Sequence, residues 1–177
     1  MPWATVQENA ALGLRVRSFY GPDGTHAPKD AIISLDEDNQ NVHGWLERLG
    51  LLEIEKKYPG QISGGQRQRT AIARTLALWP DLLLMDEPFS SLDAPTRESL
   101  QHLTLELWAE QKLTLVIVTH AIEEAAVLGQ KILLLGRPPN RGAAVVLENP
   151  GAVNAGYRDS DDYRLMCREL RARLGES

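Results

Sequence analysis

Cysteine, long apolar runs and basic charge are all scarce in this sequence, and each shortage excludes a class of protein. A single cysteine, Cys167, among 177 residues cannot form an internal disulfide, so we expect an inert thiol on a helix. No apolar run approaches the roughly 20 residues that span a bilayer. Nineteen basic against 24 acidic side chains give a net charge of −5, which disfavours nucleic acid as a partner.

The first 62 residues carry the signals of helices. Thr5 and Glu8 have the spacing of a capping box, in which each side chain satisfies a free backbone N–H, and they predict a helix over residues 6–17. Turn residues fill positions 20–29 and indicate an exposed loop. A further helix, which Gly50 can end, is predicted by an apolar stripe at helical spacing: Val42, Trp45, Leu46 and Leu49.

From Ser63 onward, helical patterns alternate with short apolar runs. The first of these helices carries Ile72, Leu76 and Trp79 on one face and stops at Pro80. The apolar runs occupy residues 82–85, 113–119, 131–135 and 143–147, with helices predicted between the first three and a charged helix at residues 163–174. Strands that alternate with helices predict an α/β fold with a mostly parallel sheet, covered by helices on both faces.

Polar groups stand where ligands bind in such a sheet, beyond the carboxyl ends of the strands. Asp86 and Glu87 follow one apolar run, and His120 follows another. A turn before a helix, where backbone N–H groups and the helix dipole can hold a phosphate, is formed by Ser63, Gly64, Gly65 and Gln66. Taken singly, the strand-end groups are better explained as ordinary polar residues, and the turn as a plain helix cap.

Taken together, these segments are far more specific. Residues 63–69 (SGGQRQR), 82–88 (LLLMDEP), 91–93 (SLD) and 119–120 (TH) resemble, in order and spacing, the ATPase subunit of ABC transporters. The resemblance implies a protein that binds ATP with Mg²⁺ and hydrolyses it.

The resemblance also implies a role for each residue. The signature motif, which binds the nucleotide, corresponds to Ser63, Gly64, Gly65 and Gln66. Asp86 corresponds to the Walker B aspartate, which orients Mg²⁺, usually through water. Glu87 corresponds to the catalytic glutamate, a general base for the attacking water. Asp93 corresponds to the D-loop residue, and His120 to the switch histidine that hydrogen-bonds the γ-phosphate.

The implied fold is an incomplete P-loop NTPase domain of the ABC ATPase type, with a mostly parallel sheet flanked by helices and an added α-helical subdomain. Residues 1–62 would form the helical subdomain on the permease-docking side. Residues 63–136 would contain the signature helix and the part of the ATPase core with Walker B and His120. Residues 137–177 would form a C-terminal strand and helix.

A narrower resemblance involves two further segments. Residues 2–9 (PWATVQEN) and 136–139 (GRPP) are similar to the nitrate, sulfonate and taurine importer subfamily. This implies ATP-driven import of a small anion, a transmembrane permease and a second ATPase subunit as partners, and a cytoplasmic position at the inner face of the cell membrane. Trp3 would then lie at the entrance to the helical subdomain, although it could simply pack against Val42 or Trp45 in a helical core.

The family's Walker A motif, G-x-x-x-x-G-K-[ST], is absent from the 177 residues, and Gln7 stands on the wrong side of the Pro-Trp segment to be the Q-loop glutamine. The resemblance therefore implies roughly the rear two-thirds of the family's domain, feeble ATP binding and no hydrolysis by the chain alone. It also implies an uncovered apolar edge at residues 82–85. Two other interpretations stay open: a non-catalytic interaction module that pairs with a complete ABC ATPase, and a soluble ABC-type ATPase outside transport.

Overall fold

Helices and strands alternate from residue 64 to residue 134 in the computed structural model, which describes residues 1–19, 35–136, 145–154 and 156–175. The helices are α1 (Val6–Ala10), α2 (Leu12–Phe19), α3 (Leu35–Arg48), α4 (Gly64–Leu76), α5 (Ala94–Gln111), α6 (Ile122–Leu128) and α7 (Asp161–Gly175). The strands are β1 (Leu82–Asp86), β2 (Thr114–Val118), β3 (Lys131–Leu134) and β4 (Val145–Glu148). Short 3₁₀ turns lie at Leu52–Ile54, Pro59–Gln61 and Tyr157–Asp159. The predicted loop at residues 20–29 and the segment 137–139 lie outside the described residues.

The chain divides into two compact units. The first comprises residues 1–83, 91–100 and 112–114, and the second comprises residues 84–90, 101–111 and 115–177. The chain passes from one unit to the other within β1, α5 and β2. The turn at residues 63–66 therefore belongs to the first unit, and the polar residues that follow β1 and β2 belong to the second.

Helices α1, α3 and α4 pack on one another and form the core of the first unit. The apolar stripe predicted on α3 is buried there: Val42, Trp45, Leu46 and Leu49. Helix α3 ends at Arg48, and Gly50 adopts a left-handed φ of +65°, which confirms it as the terminating glycine. Ile72 and Leu76 are buried on α4, also as predicted.

Two expectations for tryptophan side chains are wrong. Trp3 is 74% exposed, so it does not pack against Val42 or Trp45. Trp79 is 66% exposed, because α4 ends at Leu76 and Trp79 follows the helix with a left-handed φ of +54°. The helical period that groups Ile72, Leu76 and Trp79 on one face no longer applies beyond the last helical residue.

The capping box at the start of α1 is confirmed. The Thr5 N–H donates to Glu8 Oε2 at 2.8 Å, and the Glu8 N–H donates to Thr5 Oγ1 at 3.2 Å. These bonds from Thr5 hold the pKa of Glu8 below its usual range. The helix that they begin ends at Ala10, and α2 begins at Leu12, so the predicted continuous helix over residues 6–17 is wrong at Ala11.

The strands form two separate two-stranded sheets, β1 with β2 and β3 with β4. The Thr114 N–H donates to the Asp81 carbonyl at 2.7 Å, and further along both strands the Glu87 N–H donates to the Val118 carbonyl at 2.8 Å. Residue numbers rise in the same direction along both strands from the first bond to the second, so β1 and β2 are parallel. The alternation of strands with helices predicts this arrangement. Strands β3 and β4 are antiparallel instead, with Lys131 opposite Glu148.

Helices α6 and α7 pack together in the second unit. The buried cluster there consists of Ala126, Ile132, Leu147, Cys167 and Leu170. Cys167 is a free, buried thiol on α7, which confirms its predicted place on a helix. The strand predicted at residues 143–147 is observed at Val145–Glu148, while residues 143 and 144 lie outside the described part.

Alternate side chains of β1 and β2 are exposed, so the prediction that helices cover both faces of the sheet is wrong for this pair. Leu82 and Leu84 on β1 are 48% and 67% exposed, and Val116 and Val118 on β2 are 45% and 56% exposed. The expected uncovered apolar surface at residues 82–85 is therefore confirmed for every second residue. No helix in the described ranges is long and apolar enough to cross a membrane.

The buried Asn9 side chain joins α1 to α4 and provides a test of the first unit. Its Nδ2 donates to the carbonyls of Ala4 at 2.8 Å and Thr5 at 2.9 Å, and its Oδ1 accepts from Arg74 Nη2 at 2.5 Å. We predict that Asn9→Ala lowers the free energy of unfolding by about 2–3 kcal/mol, because it leaves buried polar partners unpaired. Urea denaturation measures this change.

The matched control is Asn41→Ala. Asn41 Nδ2 donates to the Ala77 carbonyl at 2.8 Å, and its removal should lower the free energy of unfolding by about 1 kcal/mol. Equal losses for the two variants would show that the Asn9 network contributes no more than one ordinary hydrogen bond.

Candidate functional site

The turn at residues 63–66, here called the glycine turn, begins α4. Ser63 is the N-cap residue, and its Oγ accepts the Gln66 N–H at 3.2 Å, while Gln66 Oε1 accepts the Ser63 N–H at 2.9 Å. The N–H groups of the first helical residues, Gly64 and Gly65, have no partner within an α-helix. The turn therefore combines a hydroxyl whose hydrogen can still be donated with backbone donors at the positive end of a helix.

Arg67 fixes the chain that enters the glycine turn. Its Nη1 donates to the carbonyls of Ile62 at 2.7 Å and Pro59 at 3.2 Å. This positioning residue was missed by sequence reasoning. The sequence does contain a signal for it. The helix dipole disfavours a positive charge in the first turn of a helix, so an arginine there suggests that a nearby carbonyl accepts its hydrogen bonds.

Asp93 caps the start of α5 in the same unit. Its Oδ2 accepts the Thr96 N–H at 3.3 Å, and its carbonyl accepts the Arg97 N–H at 2.9 Å. Hydrogen bonds from the Thr96 side chain and backbone lower the pKa of Asp93. The carboxylate is thus kept ionised at the N-terminus of a helix, where negative charge is favoured.

The starts of α4 and α5 lie in contact, so the structure brings Asp93 and the glycine turn together. A Cβ at position 65 would lie 2.5 Å from Thr96 Cγ2, and a Cβ at position 64 would lie 3.3 Å from Leu92 Cδ2. The first distance is shorter than van der Waals contact allows, so a Cβ at position 65 requires a shift of the Thr96 side chain or of α5.

The polar residues after β1 and β2 meet in the second unit. His120 Nδ1 lies 2.8 Å from Glu87 Oε1, and the two side chains are 72% and 46% exposed. The imidazole donates to the carboxylate in the tautomer that carries its hydrogen on Nδ1. The structure therefore places Glu87 and His120 along one sheet edge, as the strand-end pattern predicts, and brings their side chains into contact. Asp86, the last residue of β1, is exposed beside Glu87.

Backbone contacts hold Glu87 in an unusual conformation. Its φ is +43°, in the left-handed region that is uncommon for residues other than glycine. Its N–H donates to the Val118 carbonyl at 2.8 Å, and its own carbonyl accepts the Ser90 hydroxyl at 3.1 Å. Backbone strain of this kind is concentrated at functional sites and costs on the order of 1–3 kcal/mol.

Thr119 and Glu124 order the chain around His120 and were also missed by sequence reasoning. The Thr119 hydroxyl donates to Glu124 Oε2 at 2.7 Å and accepts the Ala121 N–H at 3.0 Å. Glu124 is 4% exposed, so its carboxylate is held inside the unit. A threonine three residues before a helix is a known turn signal, but nothing local indicates that its hydroxyl also reaches a glutamate on that helix.

The side chains available as ligands show whether these residues suit a magnesium ion. Across the described ranges, no cluster of three or more His, Cys, Asp or Glu side chains is arranged to hold a metal. Asp86 is a single exposed carboxylate, which suits Mg²⁺ because that ion keeps several waters and binds one or two carboxylates together with substrate phosphates. The residues therefore fit an ion that arrives with a nucleotide.

The family model described as "ABC transporter" matches residues 1–90. The chain belongs to the ABC transporter family. The match includes the glycine turn, Asp86 and Glu87 and ends before Asp93 and His120.

Relatives of this ABC family member include named import proteins. The taurine import ATP-binding protein of Escherichia coli K12 is 42% identical over 141 residues, which is 80% of this chain and 50% of the relative. The nitrate import ATP-binding protein of Synechococcus elongatus is 37% identical over 150 residues, 85% of this chain and 50% of the relative. The aliphatic sulfonates import ATP-binding protein of Bacillus cereus ATCC 10987 is 39% identical over 148 residues, 84% of this chain and 52% of the relative. The chain spans about half the length of these curated relatives.

Solved structures confirm the predicted fold class. An inward-facing ABC transporter of metal-chelate type matches with a TM-score of 0.67 and 29% identity, covering 84% of this chain and 54% of that one. An ATP-binding cassette in a dimeric post-hydrolysis state, bound to ADP and Pi, matches with a TM-score of 0.58 and 33% identity, covering 75% and 53%. The ABC family member thus has the α/β fold of the ABC ATPase domain.

The close approach of α4 and α5 predicts unequal effects of alanine at the two glycines of the turn. Gly65→Ala should lower the free energy of unfolding by about 1–3 kcal/mol, because the new methyl group overlaps Thr96. Gly64→Ala should change it by less than about 1 kcal/mol, because the tip of Leu92 can move and alanine favours the helix. Urea denaturation of both variants makes the comparison, and Gly60→Ala, at a position with nothing within 4 Å, serves as the control. A harmless Gly65→Ala would contradict the packing.

Proposed function

We propose that this chain is part of the ATP-binding subunit of an ABC-type importer, which couples ATP binding and hydrolysis to the transport of a small anion such as nitrate, a sulfonate or taurine. The observation that carries the proposal is the 2.8 Å contact between Glu87 and His120 at the carboxyl ends of two parallel strands. A carboxylate and an imidazole at this edge can act on water and on a phosphate. The identities to taurine, nitrate and sulfonate import proteins support the substrate class.

In this proposal Glu87 and His120 are the catalytic residues. Glu87 accepts a proton from the water whose oxygen attacks the γ-phosphorus of ATP, as the bond to the β–γ bridging oxygen breaks and ADP leaves. In the structure its Oε1 lies 2.8 Å from His120 Nδ1, and Oε2 is outside that contact. His120 donates its ring N–H to the γ-phosphate once the ring has turned from Glu87 toward the nucleotide.

Asp86 would be the metal ligand of the chain. When bound with ATP, Mg²⁺ supplies positive charge that offsets the charge of the phosphate oxygens. The exposed Asp86 carboxylate would hold the ion together with water and those oxygens.

The glycine turn would be the signature motif, and it would act on a nucleotide held by a second ATPase subunit. Ser63 has its hydroxyl hydrogen available, and Gly64 and Gly65 present backbone N–H groups, so a γ-phosphate could be bound at this helix start. Gln66 would keep the turn in shape through the capping box, and Asp93 would lie beside the shared interface. The 177 residues contain no G-x-x-x-x-G-K-[ST] sequence, so the cradle for the β- and γ-phosphates must come from another polypeptide segment.

Residues 1–62 would form the helical subdomain that faces a transmembrane permease. The exposed Trp3 supports this role, because a large aromatic side chain on the surface is typical of a contact with a partner. The permease would hold the chain on the cytoplasmic side, at the inner face of the membrane. Residues 63–136 would contribute the signature helix and the catalytic edge, and residues 137–177 the C-terminal strand and helix.

A non-catalytic interaction module that pairs with a complete ABC ATPase is the second candidate. It is favoured by the lack of a phosphate-binding lysine loop in the 177 residues and by the exposed Leu84 and Val118 side chains. A soluble ABC ATPase outside transport is less well supported, because the named relatives are import proteins.

The 177-residue chain by itself should bind Mg-ATP feebly and should not turn it over. The physical reason is that the β- and γ-phosphates lack their backbone cradle and lysine. Nucleotide titration and phosphate release from the purified chain measure binding and turnover. Robust Mg²⁺-dependent hydrolysis that disappears in Glu87→Gln would overturn this prediction.

The chain should nevertheless complete the nucleotide site of a partner. We predict that mixing it with a complete import ATPase subunit, whose own signature serine is replaced by arginine, restores ATP turnover. Gly65→Asp in this chain should abolish the restoration, because it adds a clash and a negative charge at the γ-phosphate position. Gly60→Asp, where a Cβ meets nothing within 4 Å, should retain it. If the chain binds the partner without restoring turnover, the interaction module is the correct function.

A further inference from the structure

Thr96 contacts both Asp93 and the glycine turn, through different atoms. Its backbone N–H donates to Asp93 Oδ2 at 3.3 Å. Its Cγ2 methyl stands 2.5 Å from the place where a Cβ at position 65 would be. Thr96 is thus joined to the loop before α5 through its backbone and to the glycine turn through its methyl group.

We propose that Thr96 is a positioning residue that sets the spacing between the starts of α4 and α5 and thereby holds the glycine turn in the geometry that binds a phosphate. The proposal rests on the function proposed above. It gives a role to Thr96, which lies outside residues 63–66 and does not touch the nucleotide in the proposed function.

The packing explains why this one methyl group matters. Gly65 has no side chain of its own, so the space beside its Cα is filled by Thr96 Cγ2, with Leu100 Cδ1 as the next atom at 3.9 Å from the ideal Cβ position. Leu100 is fully buried and Gly65 is buried, so this contact lies inside the first unit. Removal of the methyl leaves a gap that the protein interior fills only in part.

The β-branched shape of Thr96 makes it suited to this position. Two heavy atoms on Cβ restrict its χ1 angle within a helix, which leaves its methyl group few directions. The Cγ2 methyl stands against the glycine turn, while the backbone N–H of the same residue is held by Asp93.

Two substitutions separate the methyl group from the hydroxyl. Thr96→Ser keeps the hydroxyl and removes the methyl contact, whereas Thr96→Val keeps a methyl group toward Gly65 and removes the hydroxyl. We expect amide hydrogen exchange at Gly64, Gly65 and Gln66 in the purified chain to be faster in Thr96→Ser and unchanged in Thr96→Val. In the mixed assay with the serine-to-arginine partner, Thr96→Ser should lower turnover roughly tenfold, since displacement of a positioned group by a fraction of an ångström is sufficient. Thr96→Val should stay within about twofold of the unsubstituted chain, because the turn keeps its contact.

A double substitution gives an independent measure of the contact. Thr96→Ser should relieve the destabilisation caused by Gly65→Ala, because the removed methyl is the atom with which the new Cβ overlaps. Three results would each overturn the proposal. One is that the effects of Thr96→Ser and Gly65→Ala on the free energy of unfolding are additive in urea denaturation. The others are equal exchange rates at the glycine turn in the unsubstituted chain, Thr96→Ser and Thr96→Val, or an equal loss of turnover in the two Thr96 variants. If the unsubstituted chain restores no turnover, the proposed function fails, while hydrogen exchange and the double substitution still decide the role of Thr96.

Discussion

Parallel pairing of β1 with β2 is the constraint on which the candidate catalytic edge depends. The two strands end at the same edge, so the residues after them are brought together although more than thirty positions separate Glu87 from His120 in the chain. The bond from the Glu87 N–H to the Val118 carbonyl extends the pairing one residue beyond β1. The same bond holds Glu87 at positive φ, so the strand pairing fixes both the position and the strain of this residue.

The first unit uses a different device, the contact of two helix starts. Ser63 and Asp93 are both N-cap residues, and each satisfies a backbone N–H at the third position of its helix. Glycine at position 65 avoids an overlap with Thr96 Cγ2 where the two helix starts approach. A sequence of small and capping residues thus has a packing explanation that is independent of any ligand, and the N–H groups of the first helical residues stay without a partner inside the helix.

Much of this arrangement could be predicted from the sequence, because it follows from local rules. The capping boxes at Thr5 and Ser63, the buried stripe of α3 and the polar groups at strand ends all depend on spacing within a few residues. The features that were missed depend on contacts distant in the chain. The overlap of Thr96 with position 65 and the bond between Thr119 and Glu124 require the positions of helices that no local pattern supplies. Trp3 and Trp79 are exposed for the same reason, since an apolar side chain is buried only where other elements of the fold cover it.

The alternating exposure of β1 has a consequence for handling the protein. In the described part of the chain β1 pairs with β2 alone, so its other edge carries unpaired backbone groups beside the exposed Leu82 and Leu84 side chains. Such an edge is a template for any extended apolar peptide. Any self-association through such an edge would increase with concentration, so light scattering over a dilution series is the measurement that separates the monomer from its assemblies.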